Sequence, residues 1–488
     1  MIPASVRPRL VGRILARFIL ALSALMLIPL AFGVLTAGKD LAALGASVVI
    51  TALCGFAVLL FARDSPESEI KPREGILLTA LVWISLCFFG CLPFYFSPYF
   101  DSFTAAFFEA ASGFTTTGAT VLSDVEQLSA PIQLWRCFTQ WFGGMGIVLL
   151  GIAILPLIGQ GGTHLYRAEF SGAKSQRLAT RTAETARALW RIYLVLTLTE
   201  ALALWLAGMS GFDAVCHSFT TLATGGFSTR TESIAAYQSA SIDYIVCFFM
   251  ICSGISFVQY YRLLVERDRR SAVGDYELRT YLLFLVVATA VIAITLVSEQ
   301  TFDPEPAFRA ALFQVASILT TTGFATHDYT TWYPLAQILL LTLMFIGGCT
   351  GSTAGGIKVA RAVMLGRVIQ REFKRMAEPH GVFPVTLNDE TIPEYAIQGL
   401  LNLVYLSWMM LLAGSVVLAA TGVDVLTAIS ATVACLFNIG PGLGAVGPAG
   451  HYGQLPDLAK WTLAFCMIAG RLEFYTLLLI FTGVFWRR

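Results

Sequence analysis

The chain has 488 residues, of which 56% are hydrophobic and 13% are charged, and its mean hydropathy is +0.72. A soluble globular chain carries roughly 25% charged residues, so this composition excludes a water-soluble protein and indicates an integral membrane protein. The formal net charge is only +1 and the basic residues are dispersed, which disfavours a nucleic-acid-binding surface.

A series of apolar segments predicts the membrane spans. Each is close to or above the ~20 residues that cross about 30 Å of hydrocarbon. They cover residues 10–35, 42–62, 76–97, 133–158, 189–208, 241–261, 280–298, 396–420 and 460–486. The first is too long for a signal peptide and lacks a small-residue cleavage site, so we expect a retained helix.

The distribution of Lys and Arg predicts the orientation of these spans. If the basic N-terminus lies inside, all but six of the 32 Lys and Arg fall on inner segments, including 167–191, 262–279 and 358–375. The six exceptions are Lys39, Arg136, Arg230, Arg309, Lys460 and Arg471. Because positively charged loops stay on the cytoplasmic side, we expect both termini in the cytoplasm.

Between the spans, a shorter apolar stretch recurs four times, and each copy leads into a turn with glycine. The turns are "FTTTGAT", "LATGGFST", "LTTTGFAT" and "FNIGPG", and the predicted turn glycines are Gly118, Gly225, Gly323 and Gly440. Roughly 10–14 residues cannot cross a bilayer, so these stretches are predicted to be re-entrant half helices. Each repeat then consists of a span, a half helix, a glycine turn and a second span.

The predicted fold is therefore an all-α polytopic membrane protein with four such repeats around a central pore. Two further helices precede the repeats. The expected boundaries are 1–70 for the N-terminal helix pair and 71–185, 186–277, 278–390 and 391–488 for the four repeats.

The composition of the turns favours binding of a cation by main-chain oxygens. Non-helical backbone at membrane depth is tolerated only where it is buried or lines a watery cavity. Glycine lets carbonyls turn inward, and four converging turns would supply a ring that replaces the water around a cation. Thr117, Thr224 and Thr322 precede three of the predicted glycines, and Ile439 precedes the fourth. The alternative is helix capping or close packing, since Thr and Gly are frequent in membrane helices.

A second unusual stretch, "GGCTGSTAGGIK" at 347–358, contains five glycines. It begins about 13 residues into a further predicted span that starts at Pro334, so it lies roughly 20 Å deep at 1.5 Å per residue. This composition should interrupt the helix. A nucleotide-binding loop is disfavoured because Ile and Val flank Lys358 and the Gly-Lys-Ser/Thr ending is missing. Close helix packing remains an alternative, because Gly347, Gly351 and Gly355 form consecutive G-x-x-x-G spacings. The functional interpretation is a flexible obstruction beneath the turns.

Arg471 stands 11 residues after Lys460, about 16 Å into the membrane at 1.5 Å per residue. A buried arginine is costly and is usually directed at a cavity or a partner. Beneath a cation-binding ring it would raise the barrier to permeation. A structural arginine bonded to carbonyls is the alternative.

These motifs, together with "QWFGGMGIVLLGIAILPL" at 140–157, "REFKRMAEPHGVFPV" at 371–385 and the final "GRLEFYTLL", resemble the Trk/Ktr/HKT superfamily of cation transporters. Within it they resemble the TrkH family, the membrane subunits of bacterial Trk potassium-uptake systems. The resemblance covers essentially the whole chain. It implies four potassium-channel-like units in one chain and a homodimer in which each protomer has its own pore.

The resemblance also implies which residues bind the transported K+, with no organic cofactor. They are Thr116, Thr117, Gly118, Ala223, Thr224, Gly225, Thr321, Thr322, Gly323, Asn438, Ile439 and Gly440. In plant relatives a serine in place of the first glycine accompanies Na+ transport, so glycine in all four turns resembles the K+-selective members. Each turn has a single filter glycine rather than a Gly-Tyr-Gly sequence, which leaves weaker discrimination among monovalent cations open.

The resemblance implies an intramembrane gate as well. Its residues are Gly347, Gly348, Gly351, Ser352, Thr353, Gly355, Gly356, Lys358 and Arg471. It further implies a cytosolic ring of TrkA-like nucleotide-binding subunits as regulator, and a place in the bacterial inner membrane among its lipids. The alternatives are a secondary transporter of another small solute and a less selective channel for monovalent cations such as Na+. An enzyme is disfavoured, because the sequence contains no catalytic constellation.

Overall fold

The computed structural model describes residues 6–63, 70–153, 182–268, 274–387 and 390–486. The described part is mostly helical, with one short antiparallel pair of strands, β1 (Thr386–Leu387) and β2 (Glu390–Thr391). The inner segment predicted at 167–191 lies outside these ranges up to residue 181, as do the first five and last two residues.

The helices alternate between long and short along the chain. The helices up to residue 264 are α1 (Pro8–Leu35), α2 (Leu41–Phe61), α3 (Pro72–Gly90), α4 (Leu92–Tyr95), α5 (Phe103–Phe114), α6 (Ala130–Ala153), α7 (Thr182–Leu206), α8 (Gly211–Leu222), α9 (Ala240–Ser253) and α10 (Phe257–Leu264). The remainder contains α11 (Tyr276–Ser298), α12 (Pro304–Leu319), α13 (Pro334–Leu343), α14 (Val359–Ala377), α15 (Glu394–Ala420), α16 (Val425–Leu436), α17 (Asp457–Arg471), α18 (Tyr475–Leu478) and α19 (Gly483–Trp486).

Six of these helices are long and apolar enough to cross a membrane, and two bent pairs among the described residues make up to eight. The six are α1, α2, α3, α7, α11 and α15. Many of their large apolar side chains face outward, which suits contact with lipid. The predicted class, an all-α polytopic membrane protein, is confirmed.

The four short helices α5, α8, α12 and α16 are the predicted half helices. Three have 12 residues and α12 has 16. The hydroxyls of Ser102 and Ser210 and the carboxylate of Asp424 each accept a hydrogen bond from an amide three residues later, which satisfies an orphan donor at the helix start. Most residues of these helices are buried, so each packs largely inside the protein.

Two predicted spans are wrong in one respect, because they are bent rather than continuous. The span predicted at 241–261 turns by 89° between α9 and α10, where Gly254 packs so closely against Tyr281 that a side chain would overlap its hydroxyl. The span predicted at 460–486 turns by 111° after α17. There Glu473 and Phe474 both have positive φ, a conformation that ends a helix.

Candidate functional site

The turns after the four half helices share one backbone conformation. In each, a residue with φ between 52° and 58° follows the helix cap by one position, and a glycine with φ between 77° and 98° comes two residues later. These pairs are Thr116 and Gly118, Thr224 and Gly226, Thr321 and Gly323, and Asn438 and Gly440. The amide between each pair donates a hydrogen bond of 2.8 Å to a carbonyl oxygen in the last turn of the half helix. The repetition predicted from the sequence is therefore present at the level of single dihedral angles.

The second turn corrects the residue assignment made from the sequence. Ala223 caps the helix, as Thr115 does in the first turn, and the turn glycine is Gly226 rather than Gly225. The equivalent trio is thus Thr224, Gly225 and Gly226, one position beyond the predicted Ala223, Thr224 and Gly225. The error arose because "ATGGF" contains two adjacent glycines, and the sequence alone does not distinguish them.

The four turns meet in a closed ring. A Cβ added to each turn glycine would overlap the carbonyl oxygen of the preceding residue in the next repeat, and the fourth turn returns to the first. The pairs are Gly118 with the oxygen of Gly225, Gly226 with that of Thr322, Gly323 with that of Ile439, and Gly440 with that of Thr117. Four segments that lie about 100 residues apart in sequence therefore surround one axis, and only glycine fits the contact points.

This ring is suited to a dehydrated cation. Each half helix ends immediately before its turn, and the C-terminal end of a helix dipole favours positive charge. Main-chain oxygens at the ring can replace the hydration shell of an ion. In these turns, Thr116 Oγ1 and Asn438 Oδ1 are buried without a hydrogen-bond partner among the described residues.

Side chains behind the ring hold the turns in place. Gln140 of α6 donates from Nε2 to the oxygen of Gly225 at 2.7 Å and accepts from the amide of Phe227 at 3.0 Å. The hydroxyl of Tyr452 donates to the oxygen of Gly440 at 2.6 Å. These bonds brace the second and fourth turns from outside.

A buried ion pair, which the sequence analysis did not assign, braces the first two turns. Arg136 and Glu109 are 2% and 0% exposed, and Nε lies 2.6 Å from Oε1. Glu109 also accepts from the amide of Val121, just after the first turn. Arg136 donates to the oxygen of Ser228 at 2.9 Å, and its guanidinium carbon lies 3.7 Å from the ring centre of Phe227. The signal available in the sequence was an ionisable residue in each of two apolar segments.

An acidic residue, Asp124, follows the first turn and is held by hydrogen bonds from two segments of the chain. The amide of Glu126 and then the side chain of Gln127 donate to Asp124, and these bonds lower the pKa of Asp124 below its usual value. The hydroxyl of Thr231, from the second repeat, donates to the same carboxylate at 3.1 Å. Asp124 is therefore ionised at neutral pH and weakly enriches cations.

The glycine-rich stretch 347–358 interrupts the helix as predicted, since α13 ends at Leu343 and α14 begins at Val359. We call residues 347–358 the gate loop. Its two ends pair, with the amide of Gly347 donating to the oxygen of Ile357 at 2.8 Å. The amide of Gly355 donates to Thr321 Oγ1 at 2.7 Å, and a Cβ at Gly355 would overlap the oxygen of Phe437. The gate loop thus lies against the third and fourth turns.

The remaining predicted gate residues all lie within this loop or next to it. Gly351 and Gly356 have positive φ, Gly348 packs closely against Gly254, and Ser352 donates to the oxygen of Cys349. Lys358 directs its ammonium group at the oxygens of Ala354 and Gly355, so its charge lies inside the loop. These contacts give the loop a compact shape, with the ammonium group of Lys358 inside it.

Arg471 meets the gate loop directly. It is 4% exposed, and it donates from Nη1 to the oxygen of Thr353 at 3.0 Å and from Nη2 to that of Gly143 at 3.5 Å. The hydroxyl of Thr353 in turn donates to the oxygen of Leu222 at 3.0 Å, the last residue of the second half helix. The loop and the arginine, predicted separately, are therefore brought together beside the turns.

Four turns closed into one ring within a helical membrane fold, with the glycine-rich loop against them, define a polytopic membrane transport protein. The family profile of TrkH, described as a cation transport protein, matches residues 46–488. The chain belongs to the TrkH family, as its motifs predicted.

Similar proteins span nearly the same length. The Trk system potassium uptake protein TrkH of Salmonella typhimurium is 40% identical over 433 residues, which cover 88% of this chain and 89% of that protein. TrkH of Vibrio parahaemolyticus is 40% identical over 487 residues and covers 98% of both chains. The crystal structure of the potassium transporter TrkH from Vibrio parahaemolyticus superposes with a TM-score of 0.89, at 37% identity and with 98% of this chain covered.

Proposed function

We propose that the protein takes up potassium across the bacterial inner membrane through the ring of turns, without an organic cofactor. The observation that carries this proposal is the closed contact of four turn glycines with four main-chain oxygens. The curated relatives, named as potassium uptake proteins, support the choice of ion. The filter residues are Thr116, Thr117, Gly118, Thr224, Gly225, Gly226, Thr321, Thr322, Gly323, Asn438, Ile439 and Gly440.

Selectivity in this proposal comes from the main chain. Turns that are braced from behind by Gln140, Tyr452 and the Arg136–Glu109 pair resist contraction around a smaller ion. Sodium holds its hydration water more tightly than potassium, so a ring that does not contract offers it less compensation. Glycine in all four turns keeps the ring free of side chains.

The gate in this proposal is the gate loop together with Arg471. Lys358 and Arg471 place two positive charges close to the cation path, where the low dielectric strengthens repulsion. Displacing the loop removes both the steric obstruction and part of this charge. In this proposal, gating and ion uptake include no enzymatic step, as expected for a chain related to transporters.

We further propose a homodimer in which each protomer has its own pore, with both termini in the cytoplasm. Regulation would come from cytosolic TrkA-like nucleotide-binding subunits that dock on the basic inner loops. The name "Trk system" carried by the relatives supports a multi-subunit assembly. The proposal includes the division into an N-terminal helix pair (1–70) and four pore repeats (71–185, 186–277, 278–390 and 391–488).

Cation flux in proteoliposomes tests the function. Purified protein should admit K+ and Rb+ faster than Na+ down their gradients, and calorimetry should detect K+ binding without any organic solute. Equal flux of all three ions favours the less selective channel. Uptake of an organic solute without K+ binding would favour the secondary transporter and overturn the proposal.

A further inference from the structure

The carboxylate of Glu277, in the first turn of α11, fastens the gate loop from a side that the sequence motifs do not indicate. Glu277 is 8% exposed. Its Oε1 accepts hydrogen bonds from the amide of Thr350 at 2.7 Å, from the hydroxyl of Thr350 at 3.0 Å and from the amide of Ala360 at 3.1 Å. One oxygen atom therefore joins the gate loop to the helix that follows it.

Neighbouring main-chain bonds hold the same part of the loop. The amide of Cys349 donates to the oxygen of Gly254 at 2.8 Å, and the amide of Phe257 donates to the oxygen of Gly351 at 3.0 Å. Both partners lie at the bend between α9 and α10. Residues 349–351 are thus held by the second repeat and by α11, whereas Thr353 and Gly355 are held by Arg471 and Thr321.

The hydrogen bonds that hold the loop differ in strength. Hydrogen bonds to an ionised carboxylate are roughly twice as strong as those between neutral groups. A loop with five glycines has little order of its own, so its position depends on the groups that hold it. Among the described residues, Glu277 accepts two hydrogen bonds from the loop, both from Thr350.

We propose that Glu277 is a positioning residue that keeps the gate loop in its obstructing position. This inference rests on the proposed function, because it requires the loop to limit cation flux. Weakening the carboxylate contacts shifts the loop toward displaced conformations, and the pore then conducts more often without a regulator.

The test compares Glu277→Gln and Glu277→Ala with a matched control in the full-length protein. The control is Glu74→Gln, since Glu74 is also a buried acid in the first turn of a span and accepts bonds from Arg7 and Lys71, away from the loop. Rb+ influx into proteoliposomes without regulator measures the gate. Maleimide labelling of Cys349, which is 0% exposed within the loop, measures loop displacement by mass spectrometry.

We expect Glu277→Ala to raise Rb+ influx by about tenfold, Glu277→Gln by less, and both to accelerate labelling of Cys349, because losing one charge-assisted contact shifts a two-state population by that order. Glu74→Gln should change neither quantity. If the Glu277 variants do not fold, Thr350→Val removes one donor and leaves the carboxylate, and it should raise influx and labelling to a smaller degree.

The outcomes separate this inference from the proposed function. If Arg471→Ala raises influx and the Glu277 and Thr350 variants do not, the gate stands and the role of Glu277 is overturned. Unchanged labelling of Cys349 overturns it as well, whatever the flux. If neither Arg471→Ala nor the Glu277 variants raise influx, the gate proposal itself fails and this inference fails with it.

Discussion

The guanidinium of Arg471 donates a hydrogen bond to the main-chain oxygen of Thr353 at 3.0 Å. These residues are 118 positions apart and belong to the fourth and third repeats. Nε of Arg471 has no partner among the residues that the structure describes, so its charge is only partly compensated. The bond joins a deeply buried arginine to a glycine-rich loop. No local sequence pattern predicts that these two features are in contact.

The first prediction concerns this charge. Arg471→Ala should raise Rb+ influx without regulator by about tenfold, because removing a positive charge near the path lowers the barrier by roughly 1.4 kcal/mol. Stopped-flow influx into proteoliposomes measures this. Lys460→Ala, at the outer end of the same helix, is the control and should leave influx unchanged. Equal influx in parent and Arg471→Ala would place the gate elsewhere.

The second prediction concerns the ring glycines. Gly226→Ser and Gly323→Ser should each lower the K+/Na+ flux ratio by about tenfold or more, since each side chain strikes a main-chain oxygen of the neighbouring turn. Gly422→Ser is the control, because Gly422 also has positive φ but nothing lies within 4 Å of an added Cβ. If Gly226→Ser keeps the parental ratio, the corrected register of the second turn is wrong.

The third prediction concerns the ion pair behind the first two turns. Glu109→Gln leaves Arg136 buried without its charged partner, which should reduce the free energy of unfolding by about 3–5 kcal/mol. Asp243→Asn breaks a pair with Arg309, which is 23% exposed, and should cost about 1 kcal/mol. The midpoint of thermal unfolding in detergent compares the two. If both variants lose the same amount of unfolding free energy, the Arg136–Glu109 pair does not stabilise the turns more than an exposed pair does.

The fourth prediction concerns the contact between the third turn and the gate loop. Thr321→Val removes the oxygen that accepts from the amide of Gly355 and should raise influx about threefold, since one such bond contributes roughly 0.5–1.5 kcal/mol. Thr321→Ser keeps the hydroxyl and should behave like the parent. Rb+ influx into proteoliposomes is again the measurement. Equal influx in the two variants would show that the bond between Thr321 and Gly355 does not contribute to gating.

Composition and segment length alone predicted much of the fold. Apolar stretches that fill a bilayer must be helical, because every backbone polar group needs an internal partner there. Stretches of half that length with glycine behind them then predict the re-entrant helices α5, α8, α12 and α16. The bends after Ser253 and Arg471 were missed, since hydropathy does not report a break that contacts with distant residues stabilise.

The candidate site was predicted less evenly. In three of the four turns the predicted glycine is the one that has the shared positive φ, because "TTTG" and "NIG" each contain a single glycine in that position. The second turn was misplaced by one residue. Its register is decided by the cap position of Ala223, the positive φ of Gly226 and the bond from the amide of Gly225 to the last turn of α8. The partners of Arg136, Glu277 and Arg471 were not predictable, because each lies in another repeat or helix.

The sequence by itself determined a membrane protein with four similar units, since burial of apolar segments and the freedom of glycine act within short stretches of chain. The tertiary structure decided which oxygens face which glycines and which groups hold the gate loop. Those contacts join residues about 30 to 320 positions apart, from Thr321 and Gly355 to Thr117 and Gly440, and depend on the packing of all four units together.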